Sequence, residues 1–138
     1  MNNVASVLNR KNFKPVTVTP ETSVITALQI MADKNIGSLV VMNGDQYLGI
    51  VTERDYSRKV ILKGKHSDET RVEEIMSTDL PHIKPTDSID HCMELMSGQN
   101  IRYMPVFDNG KLSGIISMTD VVKETILAQK ETINQLHS

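Results

Sequence analysis

The side chains best suited to binding a ligand belong to one seven-residue pattern that the chain contains twice. The first copy is Gly49–Asp55 and the second is Gly114–Asp120. Each has a glycine, two aliphatic residues, a serine or threonine, two variable residues and an aspartate. A hydroxyl residue followed three positions later by an acid is also the pattern of a helix capping box. A single copy has that local explanation, whereas the repetition favours a further role.

No other residues are spaced for catalysis or metal binding. The histidines and the single cysteine lack the spacing of metal ligands; they are His66, His82, His91, His137 and Cys92. The chain has no Ser-His-Asp order and no Walker loop. Cys92 lies on an apolar helix stripe where the other copy has Ala27, so we predict a small buried residue and not a nucleophile. We expect neither an enzyme nor a metal site.

The composition is that of an ordinary globular protein. The chain has 138 residues, of which 39% are hydrophobic and 23% charged, and its formal net charge is -2. A weakly acidic chain has no basic face with which to displace counterions from nucleic acid. One cysteine forms no internal disulfide, and no apolar run reaches the length of a membrane span or secretory signal. These features predict a cytoplasmic protein with neither a membrane nor a nucleic-acid partner.

The whole chain is built on an internal repeat of 65 residues. Without a gap, Val16–Ile61 aligns with Pro81–Ile126, and ten of these 46 pairs are identical. Two copies indicate a duplication rather than a solenoid, which needs at least three units. We predict two similar halves related by a pseudo-twofold axis, with boundaries at residues 1–70 and 71–138.

Each copy predicts the element order β-α-β-β-α. Apolar residues at helical spacing follow Thr22 and Asp87, which are the predicted N-caps. Two β-rich runs come next, separated in one copy by Asn43-Gly44-Asp45-Gln46 and in the other by Asp108-Asn109-Gly110. Asn-Gly between apolar runs predicts a hairpin with φ > 0 at both central residues. A short helical turn is expected ahead of each copy, at 4–9 and at 72–77.

The C-terminal stretch extends beyond the repeat and carries an apolar stripe of its own. Its positions alternate spacings of four and three, as in a coiled coil; they are Val122, Ile126, Gln129, Ile133 and Leu136. So short a helix is marginal in isolation. We expect it to pack on a partner chain or on its own half of the protein, the alternative being a frayed terminus.

Together these motifs resemble a known family. The doubled Gly-aliphatic-aliphatic-Ser/Thr-x-x-Asp pattern, the run Ile101–Val106 and the gapless repeat are similar to a tandem pair of cystathionine-β-synthase-type (CBS) domains. The resemblance covers essentially the whole chain and is strongest to small stand-alone bacterial signal-transduction proteins. It implies an α+β (mixed α/β) fold of two pseudo-twofold-related units.

The resemblance also implies a non-enzymatic sensor of cellular energy state that binds an adenosine ligand such as AMP, ADP, ATP or NAD(H). In the family, the hydroxyl and the aspartate of the motif hold the ribose, because a carboxylate accepts both hydrogens of a vicinal diol. The motif glycine lets backbone approach the ligand, and the helix start favours a nearby phosphate. The family further implies a homodimer and a regulated protein partner.

Two pockets are implied, each drawing on both halves. The pocket of the second motif comprises Lys14, Val16, Thr17, Ile36, Ser38, Arg54, Arg102, Ile115, Ser117, Thr119 and Asp120. The pocket of the first motif comprises Ile50, Thr52, Asp55, Ser77, Leu80, Pro81, His82, Ile101, Arg102, Tyr103 and Met104.

The two pockets differ in basic residues. Arg102 stands where the first copy has Gly37, and Arg54 stands where the second has Thr119. By the family geometry both arginines point at the phosphate of the Asp120 pocket, which is therefore the predicted mononucleotide site. The alternative is that both are solvated surface residues.

Two other functions remain open. One is a structural dimerisation module with vestigial pockets, against which the intact Asp55 and Asp120 count. The other is an enzyme that processes a nucleotide, against which the missing general base and nucleophile count.

Overall fold

The computed structural model describes residues 2–11 and 14–137, which form two compact units. The first unit runs from Pro15 to Asp79, and the second joins the N-terminal helix to the chain from Leu80 onward. Helices and strands alternate in both units, so the predicted α+β class is confirmed.

The first unit is a three-stranded sheet with a helix between its first two strands. Its elements are β1 (Thr17–Val18), α2 (Val24–Lys34), β2 (Ser38–Asn43) and β3 (Gln46–Thr52), followed by α3 (Glu53–Tyr56). A π-helical stretch, Ser57–Ile61, extends α3, and a 3-10 turn follows at Val72–Glu74. Parallel β1 and antiparallel β3 both pair with β2. The aliphatic face of α2 packs on this sheet in one buried cluster.

The second unit repeats this plan around a two-stranded sheet. Its elements are α1 (Val4–Lys11), α4 (Ile89–Gln99), β4 (Tyr103–Asp108), β5 (Lys111–Ser117) and α5 (Met118–His137). A single residue, Ile83, replaces the first strand and forms an isolated parallel bridge with Val106. The predicted order β-α-β-β-α therefore holds in full for the first copy, whereas its opening strand shrinks to one bridge in the second.

Both principal helices begin one residue later than predicted. Ser23 and Ser88 are the N-caps, and their hydroxyls accept hydrogen bonds from Thr26 N at 3.3 Å and His91 N at 3.0 Å. The predicted caps instead brace the preceding turns: Thr22 Oγ1 accepts from Thr19 N, and Asp87 Oδ2 accepts from Lys84 N. The prediction of these N-caps was wrong because two neighbouring residues could each cap a helix, and the turn geometry selects the second.

The two hairpins use different turns. Asn109 and Gly110 both have positive φ, at 52° and 78°, as the Asn-Gly prediction requires. In the first hairpin Asn43 pairs with Gln46, so the two-residue loop is Gly44-Asp45 and only Gly44, at 59°, has positive φ. The prediction is therefore confirmed for the second hairpin and wrong for the first, where the strand pairing extends one residue further.

The compact units are divided differently from the two sequence repeats, whose boundary at residue 70 stays a prediction. Helix α1 packs with the second unit because Val4 and Val7 enter that unit's buried cluster. Its first amides are also anchored there, since Val4 N donates to Asp87 O at 3.0 Å. Likewise, Val72 and Ile75 belong to the buried cluster of the first unit. Each of these two helical segments therefore packs on the other repeat and not on the repeat that it precedes.

The C-terminal helix α5 leaves its apolar stripe exposed. The predicted stripe residues are 46% exposed at Val122, 45% at Ile126, 53% at Ile133 and 79% at Leu136. The helix continues to His137. No helix among residues 2–11 and 14–137 is both long enough and apolar enough to cross a membrane.

Candidate functional site

The second motif forms a helix start closed by reciprocal hydrogen bonds. Asp120 N donates to Ser117 Oγ at 3.1 Å, and Asp120 Oδ2 accepts from Ser117 N at 2.9 Å. These are the two bonds of a capping box, so the local interpretation of the motif is confirmed. The box fixes the carboxylate at the positive end of α5, where a negative charge is favoured.

A lysine from a distant part of the chain pairs with this carboxylate. Lys11, at the end of α1, donates from Nζ to Asp120 Oδ2 at 2.9 Å and to Ile115 O at 3.1 Å. Sequence reasoning missed Lys11 because no local pattern connects residues that lie 109 positions apart.

The first motif has the same capping box and a different lysine. Asp55 Oδ2 accepts from Thr52 N and from Thr52 Oγ1, both at 3.0 Å, while Asp55 N donates to Thr52 Oγ1 at 3.1 Å. Lys59 Nζ lies 3.0 Å from Asp55 Oδ1 and donates to Ile75 O at 2.8 Å. Lys59 follows Asp55 by four residues, a spacing that places both side chains on one helix face. That spacing was readable from the sequence, and the prediction missed it.

The two motif carboxylates differ in how many partners they already have within their own unit. Asp55 interacts with two donors on Oδ2 and with Lys59 on Oδ1. Asp120 holds both of its partners on Oδ2, and within the described residues Oδ1 accepts no hydrogen bond. The Thr52 hydroxyl donates to its aspartate, whereas the Ser117 hydroxyl donates to no acceptor in the described part of the chain. The Asp120 site therefore keeps more capacity for an external diol.

Each motif glycine lies where a side chain would clash with another part of its own unit. A Cβ at Gly49 would lie 2.5 Å from Ser77 O, and a Cβ at Gly114 would lie 2.7 Å from Leu8 Cδ2. Close packing within each unit thus requires glycine at both positions. The role expected for them, close approach of backbone to the ligand, stays a prediction. At Gly49 this packing brings together two predicted site residues, since Ile50 and Ser77 exchange backbone hydrogen bonds at 3.1 and 2.9 Å.

One cavity of about 440 Å³ gathers residues that were assigned to both predicted pockets. It lies in the second unit, beside the start of α5, and its lining includes Ile101, Arg102, Tyr103, Ser117 and Thr119. The exposed Arg102 therefore shares a cavity with the motif hydroxyl of its own unit. This cavity supplies a basic side chain close to the Asp120 motif.

A second cavity, of about 410 Å³, is lined by residues of α1 and α5. Its lining includes Arg10, Lys11, Lys123, Asp120 and Glu124. Glu124 is 2% exposed and forms an ion pair with Arg10, while its Oε2 has no hydrogen-bond partner within the described residues. The last turn of α1 thus covers two acids that are one helical turn apart.

The remaining predicted site residues divide between the units. In the first unit, Val16, Ile36, Ser38 and Arg54 are half-buried and Thr17 is exposed; in the second, Lys14 is exposed and Leu80 and Pro81 are half-buried. His82 is exposed and stacks on Phe107 with ring centroids 4.2 Å apart. The two-sided pockets therefore stay a prediction.

Two side chains predicted to line the Asp55 pocket are fully enclosed by protein. Ile50 and Met104 both have 0% exposure. Their side chains have no surface to offer a ligand, so any contact they make must come from their backbone atoms.

The one cysteine behaves as a core residue. Cys92 is 0% exposed, which confirms its predicted burial. Burial, reinforced by the negative charge of Asp87, raises the pKa of its thiol to about 11. Among the described residues, no group of three or more His, Cys, Asp or Glu side chains is placed to hold a metal ion.

Comparison with known proteins identifies both copies of the repeat. The family described as CBS domain matches residues 4–61 and 72–126. A mitochondrial CBS domain-containing protein of Arabidopsis thaliana is 34% identical over 87% of this chain. The chain spans only 61% of the length of that relative.

Solved structures show the same arrangement of elements. A signal-transduction protein with CBS domains from Burkholderia ambifaria superposes with a TM-score of 0.86 at 43% identity, covering 93% of this chain and 96% of that one. The CBS domain pair of protein MJ0100, solved with 5′-methylthioadenosine and S-adenosyl-L-methionine, superposes with a TM-score of 0.79 at 25% identity, covering 94% and 98%.

Proposed function

The chain belongs to the CBS domain family, of which it carries two copies, and we propose that it is a regulatory module that binds an adenosine ligand. The ligand class is AMP, ADP, ATP or NAD(H), and the Asp120 motif is the principal site. Binding there changes the contacts of the module with a regulated protein, and no reaction is catalysed. The adenosine compounds bound by the related domain pair of MJ0100 support this ligand class.

The observation that carries the proposal is the hydrogen-bonding capacity of the second motif. A carboxylate offers about four lone-pair positions, and a vicinal diol needs two of them. In Asp120, both positions on Oδ1 accept no hydrogen bond from the described residues. The Ser117 hydroxyl is also without an acceptor among the described residues, so it can donate to a ribose oxygen. A ribose is therefore offered one carboxylate oxygen that accepts from no described residue and one hydroxyl donor on a rigid helix start.

The two motifs differ in the hydrogen-bonding capacity that remains for a ribose. Asp55 has donors on both carboxylate oxygens, and the Thr52 hydroxyl already donates to it. A ribose at this motif must compete with both the Thr52 hydroxyl and Lys59, which lowers its net affinity. At Asp120 the competing side chain is Lys11, and the Ser117 hydroxyl can donate to the ribose. We therefore place the stronger site at Asp120 and the weaker at Asp55.

Phosphate recognition completes the proposed site. Arg102 lines the cavity that Ser117 and Thr119 also line, and a guanidinium binds phosphate oxygens through two parallel N–H groups. We assign Arg102 to the phosphate of the Asp120 ligand. The other predicted residues of this pocket that precede residue 80 and follow Lys14 belong to the other unit and are included on the family geometry alone; they are Val16, Thr17, Ile36, Ser38 and Arg54.

Calorimetric titration tests the proposal. AMP, ATP, NAD, NADH and S-adenosylmethionine are titrated into the wild-type chain and into Asp120→Ala and Asp55→Ala, with thermal unfolding as a folding control. We expect at least one ligand to bind with micromolar affinity, and Asp120→Ala to weaken it more than Asp55→Ala does. If no adenosine ligand binds at millimolar concentration, both motifs are capping boxes only.

The second candidate function is a dimerisation module, and the exposed stripe of α5 favours it. Alternating spacings of four and three create a seam that a second helix fills. We propose that the stripe pairs with its counterpart in a second copy of the chain, so that the sensor is a homodimer. Sedimentation velocity on the wild type, with and without AMP, separates a constitutive dimer from one that depends on ligand. The predicted cytoplasmic location stays a prediction.

A further inference from the structure

The two motif carboxylates pair with lysines that come from very different places in the chain. Lys59 lies four residues after Asp55, whereas Lys11 reaches Asp120 from a separate helix at the start of the chain. We propose that α1 is a ligand-responsive strap: the ribose that binds Asp120 displaces Lys11, and the last turn of α1 loosens. This inference rests on the proposed function and adds the element that responds to the ligand.

The competition follows from the geometry of one oxygen atom. Asp120 Oδ2 accepts from Ser117 N and from Lys11 Nζ, both at 2.9 Å. These two donors fill its two lone-pair positions. A diol that places one hydroxyl on each carboxylate oxygen needs a position on Oδ2. The Ser117 amide is fixed by the backbone of the capping box, so Lys11 is the partner that can leave.

A second ion pair joins the same turn of α1 to α5. Arg10 pairs with the buried Glu124, and Glu124 follows Asp120 by four residues on α5. Neighbouring residues of α1 thus bind neighbouring acids along α5. When Lys11 moves away from Asp120, the adjacent pair of Arg10 with the buried Glu124 is therefore disturbed as well. The whole last turn of α1 then loosens, not one side chain alone.

The first half of α1 is held independently of these ion pairs. Val4 and Val7 are buried in the core of the second unit. The backbone amides of Val4 and Ala5 donate to Asp87 O at 3.0 Å and to Pro85 O at 2.9 Å. We therefore expect the ligand to loosen residues 9–11 while the start of the helix stays docked.

The first motif provides an internal control. Lys59 belongs to the π-helical stretch that continues directly from the helix of Asp55, and its Nζ is also anchored by Ile75 O at 2.8 Å. A ligand that displaces Lys59 moves one side chain and no separate element. Coupling between ligand and α1 is thus expected for the Asp120 site alone.

Hydrogen–deuterium exchange of α1 tests the strap. The exchange rates of the backbone amides of residues 9–11 are measured in the wild type without ligand, with AMP, and with 2′-deoxy-AMP at matched occupancy. We expect AMP to accelerate exchange severalfold and 2′-deoxy-AMP, which lacks one hydroxyl of the diol, to have a smaller effect. AMP that binds normally but leaves exchange unchanged, or slows it, overturns the strap and leaves the proposed function standing. Absence of AMP binding refutes the proposed function itself.

Variants of the two lysines make the test specific. Lys11→Met should accelerate exchange of residues 9–11 without ligand and abolish the further effect of AMP, whereas Lys11→Arg should preserve the wild-type response. Lys59→Met should leave α1 exchange unchanged. Adenosine has the diol but no phosphate. It should bind Lys11→Met about threefold to fivefold more tightly than it binds the wild type, because it no longer has to break a partly exposed ion pair. Unchanged exchange in ligand-free Lys11→Met shows that Lys11 does not hold the turn and overturns the proposal.

Discussion

The two motif glycines offer a matched pair of mutations whose effects the structure ranks. A Cβ at Gly49 would lie 2.5 Å from the backbone oxygen of Ser77, whereas a Cβ at Gly114 would lie 2.7 Å from the end of the Leu8 side chain. Both distances are well below the roughly 3.5 Å at which heavy atoms make favourable contact. A side chain can rotate away from such a contact, but a paired backbone segment must move as a whole.

The cost at Gly49 includes hydrogen bonds as well as overlap. Overpacking of this kind costs about 1–3 kcal/mol. Moving Ser77 also weakens two backbone hydrogen bonds to Ile50, at 3.1 and 2.9 Å, and each contributes about 1 kcal/mol. The loss of glycine flexibility in the unfolded chain offsets about 0.4–1 kcal/mol of the total. We therefore expect Gly49→Ala to lower the free energy of unfolding by about 2–4 kcal/mol and Gly114→Ala by about 1 kcal/mol.

Urea denaturation followed by circular dichroism measures both free energies of unfolding. Gly98→Ala is the control, because a Cβ at this position in α4 meets no atom within 4 Å. Alanine is the better helix former by up to about 1 kcal/mol, so this variant should be neutral or stabilised. If Gly114→Ala costs as much as Gly49→Ala, the distinction between side-chain and backbone contacts is refuted.

Three further predictions concern the core, the helix ends and the surface. Cys92 should resist Ellman's reagent at pH 8 in the folded chain. Because burial raises the pKa of its thiol from 9.0 to about 11, the unfolded thiol ionises first, and the free energy of unfolding should fall as pH rises from about 9 to 11. Urea titrations over this pH range should show a steeper fall for the wild type than for Cys92→Ala. Asn35→Ala and Asn100→Ala should each cost about 1 kcal/mol in the same denaturation assay, since both residues have φ of 54° at a helix end and a left-handed backbone is unfavourable for alanine; an unchanged free energy of unfolding contradicts this reasoning. Ile126→Lys and Ile133→Lys should convert a dimer to a monomer in sedimentation velocity without lowering the helix content. A dimer that persists in both variants shows that the stripe is not the dimer interface.

Local sequence signals predicted most of the fold. The order of strands and helices, the hairpins and the burial of Cys92 follow from periodicity and turn residues, which act over short distances. Errors arose where neighbouring residues compete for one role. Thr22 and Ser23 can both cap a helix, and the choice depends on the path of the preceding turn, which propensity does not specify.

The features of the site that depend on distant contacts could not be predicted. The pairing of Lys11 with Asp120 joins residues 109 positions apart, and it exists because α1 packs on the second unit rather than on the repeat that follows it. The packing role of Gly114 against Leu8 has the same origin. A motif fixes which atoms can bind a diol, whereas tertiary packing decides which of them already have partners.

Recognition of a ribose diol by the Asp120 carboxylate is the basis of the proposed function. It is tested most directly by the affinities of AMP and 2′-deoxy-AMP for the wild-type chain and for Asp120→Ala. A hydrogen bond to a charged group contributes about 1.5–3 kcal/mol, so the wild type should prefer AMP by about 10-fold to 150-fold, and Asp120→Ala should bind both ligands nearly equally. A preference for AMP that survives in Asp120→Ala, or a wild type without any preference, contradicts the claim.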